Sequence, residues 1–154
     1  MKMRRDINTL DLFRDYEPPE VTVGFEPEVT KGGTLDVKIA RAVSQAMDVS
    51  GKTREDIAAE MAEYLGGQNV TENMLNSYAS PARRDHKITL ERLIALIDAT
   101  GCYELLGFIA EFSGFVVVPS RYAEIIHLWE TEEQMAELEH RRSALRGKVK
   151  GWRS

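Results

Sequence analysis

Three threonines punctuate the middle of this chain, and each stands just ahead of a segment whose apolar residues recur at helical spacing. A hydroxyl in that position accepts from a backbone N–H that the first turn of a helix leaves without a partner. Thr53 precedes Glu55 and Asp56, which suit the positive end of a helix dipole, and the helix it opens carries Ile57, Ala58, Met61, Tyr64 and Leu65 on one face. Gly66-Gly67 ends that helix. Thr71 opens a short one, helix 71–80, with Met74, Leu75 and Tyr78 inward, and Pro81 stops it for want of a donor. Thr89 opens a further helix whose stripe is Leu90, Leu93, Ile94 and Ile97, running to Gly101. Ahead of the three lies a helix from Leu35 to Met47, with Ile39, Ala42, Val43 and Ala46 on its apolar side, and behind them one from Tyr103 to Phe112. So punctuated, the chain is expected to be mainly α, a bundle of four to five helices.

The flanks differ in character. Residues 1–34 hold Pro18-Pro19, Pro27 and Gly32-Gly33 around one alternating stretch, Val21 to Phe25, and read as an irregular N-terminal arm. Residues 35–112 form the helical domain. Within 113–154, Gly114 to Val118 is β-branched and apolar and is expected to pair with 21–25 as a minor two-stranded β element, or to offer an edge to a second copy. A long charged helix then runs from 120 to about 146, ending in a basic tail. Its residues Tyr122, Ile125, Ile126 and Trp129 are expected to pack on their own domain. Leu128, Met135, Leu138 and Leu145 fall on a heptad pattern, interrupted by Thr131 and Arg142, that would suit a homodimer.

Charge and composition narrow the function. The 154 residues carry a net charge of -5, with +3 over residues 1–5, -7 over 104–140 and +6 over 141–154. No run approaches the roughly 20 apolar residues of a membrane span, and Met1-Lys2-Met3-Arg4-Arg5 leads into Asp6 and Asn8 rather than an apolar signal core, so a cytoplasmic protein with no membrane partner is expected. The lone cysteine, Cys102, reads as a buried small hydrophobe. His86, His127 and His140 lack metal-ligand spacing, the Gly-Gly pairs lack the lysine and serine of a phosphate loop, and Asp36-Val37-Lys38 heads a helical stripe. No cofactor, metal or catalytic residue is expected, and the chain reads as a non-enzyme.

A run of short helices in which the third is polar-faced and followed by a basic loop is what a helix-turn-helix DNA reader needs. Thr53-Arg54-Glu55-Asp56-Ile57-Ala58, Val70 to Tyr78, and Thr89 to Gly101 running into Glu104-Leu105-Leu106 resemble the lambda-repressor-like helix-turn-helix family, the Cro and repressor type also called XRE. The resemblance spans about 70 residues. It implies a sequence-specific regulator binding double-stranded DNA as a homodimer, a repressor of bacterial or temperate-phage origin, with helix 71–80 in the major groove. On that reading Ile57 and Ala58 are the packed pair of the bracing helix, and Val70, Leu75 and Tyr78 anchor the reader. Thr71, Glu72, Asn73, Asn76 and Ser77 then face the bases, where asparagine can pair with adenine and glutamate with cytosine. Arg54 takes the family's phosphate-touching position, and Lys52, Arg83, Arg84 and Lys87 flank the reader as further phosphate contacts. Eight residues separate Met61 from Val70 where the family has one, so either the bracing helix is longer or its connection wider. The same scaffold also admits a protein-interaction module, with the acidic segment 104–140 binding a basic partner.

Overall fold

The computed structural model describes residues 21–152. These form α1 (Pro27–Thr30), α2 (Leu35–Val49), α3 (Arg54–Tyr64), α4 (Glu72–Tyr78), α5 (Leu90–Thr100), α6 (Glu104–Glu111) and α7 (Ala123–Gly151), the last preceded by one 3-10 turn at Ser120–Tyr122. Each of the three threonines caps its helix. Thr53 Oγ1 accepts from the Asp56 N–H at 3.1 Å, Thr71 from Met74 at 3.3 Å and Thr89 from Arg92 at 3.4 Å. Pro27, expected only to break structure, instead begins α1, where a missing N–H costs no hydrogen bond.

The end of α3 is built by its glycines. Gly67 N–H reaches the Ala62 carbonyl at 2.8 Å and Gly66 N–H the Glu63 carbonyl at 3.0 Å, the paired closure that needs a left-handed residue, and Gly66 has φ +69°. Helix α3 therefore stops at Tyr64, three residues past Met61, and residues 65–71 connect it to α4.

One core joins α2 to α6. Val43 and Met47 of α2, Ile57 and Met61 of α3, Leu75 of α4, Leu96 of α5 and Leu105 of α6 are all but sealed from solvent. Dispersion and apolar burial at these seven positions fix the angular order of five helices. Because α5 packs on both α3 and α2, its inward face centres on Ala95, Leu96, Ile97 and Ala99, whose small members let neighbouring backbones approach. The expected stripe is thereby corrected: Ile97 is buried and Leu93 lies against the core, but Leu90 is 70% exposed and Ile94 also faces outward. Tyr64, at the last turn of α3, is exposed as well.

The expected two-stranded element is reduced to one antiparallel bridge. Val23 N–H donates to the Val117 carbonyl at 2.8 Å, and no strand is formed among the described residues. Phe115 and Val116 point outward. Residues 23–24 lie close against α6: a Cβ on Gly107 would lie 2.7 Å from the Val23 carbonyl carbon and 2.8 Å from Gly24 Cα. The backbone of residues 23–24 rests directly on a bare patch of helix.

The stripe on α7 does not pack on the domain. Ile125, Ile126 and Trp129 are exposed, Tyr122 is half-buried, and no residue of α7 is buried. Among the described residues no helix is long and apolar enough to cross a membrane.

Candidate nucleic-acid interface

The seven residues of α4 divide cleanly between inside and outside. Val70 just ahead of the helix, Leu75 and Tyr78 are buried, as the resemblance implies, and Met74 packs on the same core. On the opposite side Glu72, Asn73 and Asn76 are exposed. Asn73 and Asn76, three residues apart, share one helix face, so their amides are presented side by side. Thr71 is half-buried, with its hydroxyl engaged in the cap.

Ser77 is the correction on this surface. It is 4% exposed, its hydroxyl donates to the Asn73 carbonyl at 2.7 Å, and it accepts from Arg83 Nη1 at 2.9 Å. Its proton and an acceptor site are already used, and it lies on the inward side of α4 rather than on the exposed face expected for it. Its work is to tie the loop after α4 to the helix.

The basic residues sort into two groups. Lys52 Nζ donates to both Glu60 carboxylate oxygens, at 2.8 and 2.6 Å, and to the Ala99 carbonyl at 2.7 Å, joining the start of α3 to the end of α5. Arg54 Nη2 pairs with Asp48 at 2.8 Å across the α2–α3 corner. Both side chains thus already have anionic partners within the fold. Arg83, Arg84 and Lys87 lie in the exposed loop between α4 and α5. Arg83 spends one nitrogen on Ser77, leaving most of its guanidinium fork outward. Arg84 Nε lies 3.7 Å from Asp36, whose own carboxyl is held below its usual range first by the Thr34 hydroxyl and, more weakly, by Arg84. Lys87 is exposed.

A further cation at this place was not singled out in the sequence. Arg92, in the first turn of α5, is half-buried and its Nη1 donates to the Tyr78 hydroxyl, so the polar end of a core tyrosine is tethered from the next helix. Nothing in the spacing of Tyr78 and Arg92 signals this, because their meeting depends on the course of the loop between them. Arg83 and Arg92 both engage the C-terminal end of α4, where positive charge complements the helix dipole.

Cys102 lies at the α5–α6 corner with 3% of its surface exposed and donates to Glu104 Oε2 at 3.1 Å. Burial first, and the neighbouring carboxylate second, push its thiol up to about 12, which keeps it protonated and unreactive at neutral pH. Among the described residues no three His, Cys, Asp or Glu side chains gather into a metal-sized group.

No family model, curated protein or solved structure matches the chain.

Proposed function

We propose that the chain is a sequence-specific DNA-binding regulator that reads the major groove with α4 and acts as a repressor by occupying its operator. The observation that supports this reading is the anchoring of α4. Val70, Leu75 and Tyr78 bury its inner side in the core, while Asn73 and Asn76 stand together on its free face with Arg83, Arg84 and Lys87 in the loop that follows. Presentation of paired amides suits adenine recognition, and adjoining cations suit phosphate. Glu72, at the first turn of α4, makes cytosine the base that this end of the face can accept. With Lys52 and Arg54 held in ion pairs of the fold, few cations remain to face phosphate, so binding is modest in strength and its salt dependence is shallow.

The test is selection from a random duplex library followed by fluorescence anisotropy at about 50 and 200 mM salt, where phosphate contacts weaken visibly. An enriched site is expected. Asn73→Ala and Asn76→Ala should each lose about 1–3 kcal/mol on that site and relax its sequence. Lys87→Ala should weaken all duplexes alike and lower the salt slope by about 1. Unchanged preference in both asparagine variants excludes α4 as the reader.

A further inference from the structure

We propose that α7 pairs with α7 of a second copy of the chain in an antiparallel coiled coil centred on His140. The inference is independent of DNA binding. It begins from an apolar seam that the fold leaves uncovered. Because α7 extends to Gly151, the heptad positions run on past Leu145 to Val149, and Trp152 follows at the helix end. The seam is then Leu128, Thr131, Met135, Leu138, Arg142, Leu145, Val149 and Trp152, spaced alternately by three and four residues. Its six apolar members are all exposed, Trp152 at 82%.

Charge selects the occupant and its direction. Residues 123–140 hold six glutamates and no lysine or arginine, whereas 141–151 hold five lysines and arginines and no acid. A helix so divided is complementary to itself when reversed. Parallel pairing lays acid on acid and base on base, sets Arg142 against its own copy on the seam, and opposes Arg141 to Arg146.

The antiparallel register closes without a gap. With His140 at the centre, Leu128 lies opposite Trp152 of the second copy, Thr131 opposite Val149, Met135 opposite Leu145 and Leu138 opposite Arg142, and the same layers recur on the other side of the centre. Beside them Glu132 faces Arg146, twice by symmetry. The cost falls at the middle, where Glu139 meets Glu139 and Arg141 meets Arg141 of the second copy. Glu139 is partly neutralised within its own helix by Arg142, 4.0 Å away, whose methylene stem can cover Leu138. The basic partner that the acidic segment 104–140 calls for is, on this account, the other end of the same helix in another molecule.

The experiment is sedimentation equilibrium of the full chain over a range of concentrations, with a charge exchange at the flanking pair. The unaltered chain should be a dimer. Glu132→Arg should raise the dissociation constant about tenfold, Arg146→Glu likewise, and the double exchange should return it to its starting value, because only the antiparallel register brings these two positions together. Leu138→Lys should give a monomer with the thermal unfolding of the α2–α6 core unchanged, since no α7 residue contributes to that core. A monomeric unaltered chain overturns the proposal. So does a dimer whose double exchange is no stronger than either single one.

Discussion

At the scale of single residues, several of the polar groups singled out in the sequence are engaged with partners inside the fold. Arg83 on Ser77 and Arg92 on Tyr78 are two separate ties at the end of α4, and Lys52 and Arg54 close two corners of α3. Lone charges and hydroxyls read from sequence are therefore the least secure predictors of a binding role, because a partner many residues away can claim them. Cys102 is the opposite case, a position whose isolation in the sequence and burial in the fold agree. Its raised thiol has a consequence for pH. The folded state favours the neutral form, so this contribution to stability is intact below about pH 9 and is lost as the pH rises towards about 12. Denaturant midpoints of the native chain should fall through that interval more steeply than those of Cys102→Ala, and parallel curves would show that the thiol contributes nothing.

At the scale of elements, helices were legible and their rotations were not. Capping threonines and closing glycines act on residues within five positions of themselves, which is why α3, α4 and α5 begin where a local reading puts them. Which side of α5 turns inward is decided by α2 and α3, and no local signal announces that Ala95 and Ala99 rather than Leu90 and Ile94 are chosen. The apolar segment 114–118 misled for a related reason. β-branched residues favour an extended backbone, but a sheet also needs a partner of matching length, and among the described residues the arm pairs with this segment only through Val23. The fit of residues 23–24 against α6 leaves no room for a side chain at Gly107. Gly107→Ala should lift residues 23–24 from α6 at a cost of about 1–3 kcal/mol, read by chemical denaturation together with faster amide exchange at Val23. Unaltered protection of the Val23 amide would show that the arm rests elsewhere. On α4 the buried set was legible, Val70, Leu75 and Tyr78, and of the five base-facing candidates Glu72, Asn73 and Asn76 are the ones that stand clear.

At the scale of the whole molecule, a sealed core spanning α2 to α6 stands beside a 29-residue helix with nothing buried. On the readings proposed above, the first part bears on what is bound and the second on how many copies are joined. If α7 helices cross at His140, their first turns lie about 50 Å apart at 1.5 Å per residue, so the two α2–α6 cores are joined at opposite ends of the pair. The single cysteine gives this molecule one more property. Since Cys102 is the only thiol in the chain and lies against the corner where α5 meets α6, an added disulfide reagent can reach it only in those moments when the corner opens. The labelling rate is therefore a clock for breathing of the core, one that runs at neutral pH, without denaturant, and in the presence of whatever the protein binds.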